Sequence, residues 1–209
     1  MAEGRPDLVL LHTAEVHVAR FDEIAQRIAP KAALQHHIRP EWLALARKHG
    51  LTESLRAEFA EFVQAQPAPV LCTCTSLGPL ADEAGAIRID RPMMQEAARH
   101  GSPIAMAYCV ESTCAPSMAL LRECLEEAGH EPGIRAIEIT EAWPAFEAGD
   151  GPAFTQAIAR AIRLHLAAFP DTRAVVLAQA SMSDAAPLLA DTPPVVTSPE
   201  SALRAALAS

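Results

Sequence analysis

The sequence predicts an α/β fold made of two similar four-stranded parallel units, on three observations. Short apolar runs alternate with longer segments of helical period, which is the pattern of βαβ units. The order of those runs in the first half recurs in the second. Half of the 209 residues are hydrophobic but only 4% are aromatic. The core must then be built from Ala, Leu, Ile and Val, a mix that suits helices packed on a sheet.

Eight apolar runs are expected as strands: Asp7–His12, Ala32–Ile38, Pro69–Thr73, Ala86–Asp90, Pro103–Cys109, Ile134–Ile139, Ala174–Ala178 and Pro194–Thr197. Between them the spacing predicts helices. Val18–Ile28 stops before Pro30, which cannot continue a helix. Thr52–Gln64 opens with a capping threonine and a glutamate in its first turn. Met93–His100, Pro116–Ala128, Pro152–Ala168 and Glu200–Ala208 follow.

The repeat is clearest around Val70-Leu71-Cys72-Thr73-Cys74-Thr75-Ser76, which leads into a helix and then into Ile87-Arg88-Ile89-Asp90. Val176-Leu177-Ala178-Gln179-Ala180-Ser181-Met182 repeats the order, leading into a helix and then Val195-Val196-Thr197. On this pairing Cys74 matches Ala180. The chain divides into subdomains over residues 1–97 and 98–209.

Charge and composition exclude several functions. The formal charge is −9 and no basic cluster occurs, so neither nucleic acid nor an anionic membrane is an expected partner. The segment Met1 to Asp7 is polar, and the run Leu8 to Leu11 is too short for a signal sequence. No stretch has the length of a membrane span. Five cysteines without a signal sequence point to reduced thiols and a cytoplasmic protein. The Cys72-x-Cys74 spacing is neither a redox pair nor half of a zinc knuckle.

Dinucleotide and phosphate-loop motifs are absent, and the two lysines, Lys31 and Lys48, stand away from strand ends. No cofactor and no metal are therefore expected. His36 and His37 are neighbours on a strand and point to opposite faces, so they cannot chelate together. His12 and His17 read as surface or supporting groups near the first strand end, and Asp82 with Glu83 as a solvated helix face.

Open parallel sheets bind ligands just beyond the carboxyl ends of their strands. Four segments fall there: His12-Thr13, Cys74-Thr75-Ser76, Glu111-Ser112-Thr113 and Gln179-Ala180-Ser181. They are rich in hydroxyls, without Lys or Arg, which suits a small carboxylate. Cys74 is the expected reactive group. A thiol at a helix N-terminus has its pKa lowered from about 8.5, giving a base or nucleophile near neutral pH. The competing reading is a small buried residue, since free cysteine packs like a hydrophobe. Cys72, Cys109, Cys114 and Cys124 read as packing residues.

The segments around Cys74 (Val-Leu-Cys-Thr-Cys-Thr-Ser-Leu-Gly-Pro), around Ala180 (Val-Leu-Ala-Gln-Ala-Ser-Met) and from Glu111 to Ser117 (Glu-Ser-Thr-Cys-Ala-Pro-Ser) resemble the aspartate/glutamate/hydantoin racemase superfamily. That superfamily includes maleate isomerases and arylmalonate decarboxylases, and the resemblance spans nearly the whole chain. It implies two pseudo-symmetric Rossmann-like subdomains with an active-site cleft between them. It also implies cofactor-independent chemistry, a last helix packing back on the first half, and a possible homodimer.

Racemases of this kind set one cysteine from each half on opposite sides of the substrate carbon. Here the resemblance gives Cys74 the first position and Ala180 the second, and a methyl group cannot donate a proton. The expected activity is therefore proton transfer on a small carboxylic acid with one catalytic cysteine, by racemisation, isomerisation or decarboxylation. Thr13, Thr75, Ser76, Ser112, Thr113 and Ser181 are expected to hold the substrate. A non-catalytic small-carboxylate binding protein on the same scaffold is the alternative.

Overall fold

The computed structural model describes residues 5–208; residues 1–4, which begin the polar N-terminal segment, and Ser209 lie outside them. The described chain forms two compact units. One contains the residues up to Ile89 together with those from Pro199 onward, and the other runs from Asp90 to Ser198.

The first unit is built on β1 (Leu8–His12), β2 (Leu34–Ile38), β3 (Val70–Cys72) and β4 (Ile87–Arg88). They form a parallel sheet in the order β2-β1-β3-β4. β1 lies between two neighbours, and all five of its residues are buried, as expected for a strand covered on both faces. The helices are α1 (Val16–Ile28), α2 (Pro40–His49), α3 (Glu53–Gln64) and α4 (Gly78–Ala84).

Alternation along the strands sends Val9, Leu11, Val70, Cys72 and Cys74 into one apolar cluster with Trp42, Leu55, Phe59, Leu77 and Leu80. Residues of the other parity, Leu8, Leu10, His12 and Leu71, are equally buried, with Phe21 of α1 tilted over the His12 ring at 5.5 Å between centroids. The expected cap at Thr52 is present, its hydroxyl accepting from the Leu55 N–H at 3.3 Å.

The second unit follows the same plan with α5 (Arg91–Arg99), β5 (Ile104–Tyr108), α6 (Glu111–Glu127), β6 (Ile134–Glu138), α7 (Trp143–Glu147), α8 (Gly151–Ala168), β7 (Ala174–Leu177) and β8 (Val195–Thr197). Its parallel sheet has the order β6-β5-β7-β8, the order of the first sheet strand for strand. One face packs Ala105, Ala107, Val175 and Leu177 against Phe154, Ile158 and Ile162 of α8. The other packs Ile104, Met106 and Val176 against α5 and α6.

The last helix, α9 (Ser198–Ala208), returns to the first unit. Ala202, Leu203 and Ala206 are buried there, and Glu200 accepts from Arg27 of α1 at 2.7 Å.

All eight strands lie inside the expected ranges. The helices depart from expectation in four places, the first being the short α7, which has no counterpart among the expected helices. α2 went unanticipated, although Pro40 occupies its first turn, where a missing N–H costs nothing. α6 begins at Glu111 and carries Pro116 inside it, so the expected turn Glu111-Ser112-Thr113 is the first turn of that helix. The segment after β7 is a 3₁₀ helix, Ala180–Leu189, with Pro187 inside. There the Ser183 hydroxyl donates to the Ala180 carbonyl at 2.9 Å, a local bond that competes with α-helical pairing.

The unit boundary at Ile89/Asp90 falls ahead of residue 97 because Met93, Met94, Ala97 and Ala98 of α5 bury themselves in the second unit.

Candidate functional site

In each unit the central strand pair ends in a short segment that turns into a helix. In the first unit these ends are His12-Thr13 after β1 and Thr73-Cys74 after β3, beside each other in the parallel register Leu11↔Cys72. Cys74 retains an extended backbone (φ −110°, ψ 113°) and precedes a single 3₁₀ turn, Thr75–Leu77, closed by Leu77 N–H to the Cys74 carbonyl at 3.1 Å. Cys72 also donates its thiol to that carbonyl, at 3.6 Å.

A long helix does not start at Cys74. The dipole argument for a lowered thiol pKa therefore loses the element it needed, since α4 starts only at Gly78 and is seven residues long. Cys74 is 8% exposed, and Thr13, Thr75 and Ser76 around it are buried.

A polar chain runs along the other face of this strand end. His12 is fully buried. Its Nδ1 lies 2.8 Å from the Thr73 hydroxyl, and its Nε2 lies 2.8 Å from Nδ1 of His36. The His36 Nε2 meets Oδ1 of Asp22 at 3.1 Å. Thr73 also faces the Leu11 carbonyl at 3.1 Å. The two imidazoles are nearly parallel with centroids 5.1 Å apart, and His17 lies 6.3 Å from His12 between ring centroids.

Burial, with His36 and His17 close by, pushes the His12 imidazole down to about 3. Burial and Arg20 push His17 down to about 4. Both histidines were expected as surface or supporting groups, and both are buried. The signal that pairs His12 with His36 is parity: Leu10 stands opposite His36 in the register, so His12 projects from the same face two residues on. His37 points the other way, its ring edge against Phe62.

The second unit supplies the comparison that the repeat in the sequence left one residue adrift. Thr73 N–H donates to the Leu11 carbonyl at 2.9 Å, and Ala178 N–H donates to the Ala107 carbonyl at 3.0 Å. Leu11 pairs with Cys72 as Ala107 pairs with Leu177. Cys74 and Gln179 are then the matching residues, each extended and each immediately before a 3₁₀ segment. The counterpart of Cys74 is Gln179 and not Ala180, which matches Thr75.

Gln179 is buried, and its Oε1 accepts from both the Cys109 and Val110 N–H groups. Ser181 matches Ser76, and both are buried. Thr113 is buried in the first turn of α6 and Ser112 half-buried.

The remaining cysteines stand apart from the strand-end thiol. Burial, reinforced by Glu141, pushes Cys109 up to about 12. Burial also pushes Cys124 up to about 11. Cys114 is the half-buried one of the five. Asp82 and Glu83, expected as a solvated face, form ion pairs with Arg88 and Arg56. Among the described residues no group of three His, Cys, Asp or Glu is arranged to hold a metal ion, and no helix is long and apolar enough to cross a membrane.

No protein-family model matches the sequence, and no curated protein matches it. Solved structures do match in fold. A glutamate racemase isoform from Bacillus anthracis superposes with a TM-score of 0.71 at 14% identity, covering 97% of this chain and 80% of that one. An aspartate racemase from Picrophilus torridus gives 0.69 at 12% identity, covering 98% and 94%. A sulfate-associated variant of arylmalonate decarboxylase gives 0.51 at 17% identity, covering 97% and 92%. The chain thus has the two-sheet α/β fold seen in the Asp/Glu racemase superfamily.

Proposed function

We propose that this chain is a cofactor-independent proton-transfer enzyme acting on a small carboxylic acid, with Cys74 as its single catalytic cysteine. The observation that carries this reading is the asymmetry of two matching strand ends. One presents a thiol, Cys74; the other presents Gln179, whose side-chain oxygen accepts from the backbone N–H groups of Cys109 and Val110. At the first position the thiolate removes a proton beside a carboxylate or adds to an activated double bond, and the thiol delivers a proton. An amide at the matching position is neither acid nor base, so the chemistry at sulfur is one-sided.

In this reading the hydroxyls of Thr13, Thr75 and Ser76 at the strand ends of the first unit bind the substrate carboxylate. They also stabilise the enediolate charge that develops when its α-carbon loses a proton or CO₂. The fold shared with racemases and a decarboxylase supports an enzyme of this chemistry. Five free thiols suit a reducing compartment.

The test is solvent-deuterium incorporation at the α-carbon across a panel of amino acids, dicarboxylates and arylmalonates, run beside Cys74→Ser. The expected result is turnover on one class and a loss of about 10²-fold or more in the variant. Incorporation that survives Cys74→Ser would sink the assignment of the thiol.

A second reading is favoured by the apolar packing of Cys74 against Leu77 and Leu80: a carboxylate-binding protein without turnover. It predicts thermal stabilisation by a bound carboxylate that persists unchanged in Cys74→Ala.

A further inference from the structure

We propose that Gln179 is an anion-binding residue: its side-chain NH₂, fixed at the start of α6, donates to a carboxylate oxygen at the carboxyl edge of the second sheet. The small-carboxylate class rests on the reading above, while the donors all belong to the second unit and do not depend on Cys74.

Hydrogen bonding leaves the Gln179 amide one orientation. Its side chain meets the N–H groups of Cys109, at 2.5 Å, and Val110, at 2.9 Å. Two N–H donors can be met only by an acceptor, so the oxygen faces them and the NH₂ group faces away. Among the described residues neither Nε2 hydrogen has an acceptor. Gln179 is only 8% exposed. A donor left so short of water is costly unless an acceptor meets it.

The helix beside it supplies a favourable field. α6 runs for 17 residues from Glu111, and its N-cap, Val110, is extended and has no side-chain cap. The first N–H groups of a helix have no partner within it. Here that of Val110 goes to Gln179, and that of Thr113 goes to the Val110 carbonyl at 2.9 Å. The Glu111 N–H makes no hydrogen bond among the described residues. Because Oε1 and Nε2 share one carbon, the Gln179 NH₂ stands beside this helix start, where the dipole favours negative charge. The buried amide adds two hydrogens of fixed direction to that field.

Nearby charge narrows the ligand. Glu111 and Glu141 are both exposed, and Glu141 is close enough to act on Cys109. Neutral donors with acids around them suit one small carboxylate and not a polyanion. The strand end that matches Cys74 in register thus offers a fixed donor where the first unit offers a thiol.

Two measurements test this. In ¹H–¹⁵N spectra of the full chain, the side-chain NH₂ pair of Gln179 should shift as acetate, malonate, succinate or aspartate is titrated to tens of millimolar. The shift should saturate for at least one of them, and it should persist in Cys74→Ala. A pair that stays in place with all four overturns the proposal, whether or not they bind elsewhere on the protein.

The second measurement uses Gln179→Glu, in which a carboxylate oxygen still accepts from Cys109 and Val110 but both hydrogens are lost. Its melting temperature should stay near that of wild type, while the dissociation constant of the saturating carboxylate rises about tenfold or more. The rise should persist between about 0.05 M and about 0.5 M NaCl, because a lost contact is not screened as a distant charge is. Unchanged affinity, or affinity that salt restores, overturns the proposal. If Gln179→Glu does not fold, the wild-type spectra decide alone. Turnover that survives Cys74→Ser, with the Gln179 shift present, removes the thiol assignment and leaves this one. A Gln179 pair that never moves, with turnover lost in Cys74→Ser, does the reverse.

Discussion

Gln179 holds the backbone of Val110 across the end of the second sheet: its Oε1 accepts the Val110 N–H at 2.9 Å and the adjoining Cys109 N–H at 2.5 Å. Both donors are buried. Gln179→Ala leaves two amides without a partner, and each buried unsatisfied donor costs about 1–3 kcal/mol. The expected loss is roughly 2–4 kcal/mol in urea denaturation, with Ser181→Ala as a milder companion. A change within 0.5 kcal/mol of wild type would show that the bond is not structural.

Gly78 opens α4 against a guanidinium. A Cβ built there would stand 2.7 Å from Nη2 of Arg88 and 2.8 Å from its Cζ. Arg88 is buried and paired with Asp82 at 2.7 Å, so it cannot swing aside without losing that pair. Helix propensity alone favours alanine over glycine by about 1 kcal/mol, yet overpacking costs about 1–3 kcal/mol. Gly78→Ala should destabilise, and the penalty should shrink in Arg88→Ala. Additive effects in that double-mutant cycle would contradict the contact.

Two buried neutral histidines make stability depend on acid. His12 titrates at about 3 and His17 at about 4 in the fold, against about 6.5 when unfolded. Between pH 6.5 and 4 the unfolded chain binds the extra protons, so stability falls as pH drops through that window. His12 extends the fall toward 3. The slope is at most about 1.4 kcal/mol per pH unit for each histidine. His17→Gln should roughly halve the slope measured by denaturant melts at pH 6.5, 5.5 and 4.5. A slope equal to wild type would rule out its buried neutral state.

The five thiols should label in an order that exposure alone does not give. Cys114 is the most accessible, whereas Cys109 and Cys124 have thiols pushed far above neutral pH by burial. If Cys74 reacts as a catalytic thiolate, iodoacetamide at pH 7.5 should modify it faster than Cys114. Cys72, Cys109 and Cys124 should stay intact by mass spectrometry. Labelling of Cys114 first would match a Cys74 that serves only to pack.

The strands were legible because a doubly covered parallel sheet writes itself as runs such as Leu8–Leu11 and Ala174–Leu177, with turn residues between. Helix starts were less legible where proline sits. Pro116 reads as a first turn but lies within α6, because Glu111 to Ala115 already continue the helix before it. The slip from Gln179 to Ala180 has a similar cause. Val-Leu-Cys and Val-Leu-Ala align well as text, but the ladder bonds of Thr73 and Ala178 fix the register one residue away. The chain from Asp22 to Thr73 joins residues from α1, β2, β1 and the end of β3, and only parity along β1 and β2 hints at it.

The return of α9 to the first unit has a consequence for synthesis. Ala202, Leu203 and Ala206 are buried within the first unit, so the part translated first is the part finished last. Every residue of the second unit precedes Pro199 in the chain and is joined to it before the rest of α9 is made. The second unit can therefore close while the first still lacks its final helix. Released chains truncated after Ser198 should be protease-resistant from Asp90 onward and sensitive before it. That vectorial delay sets the order in which the two halves become native.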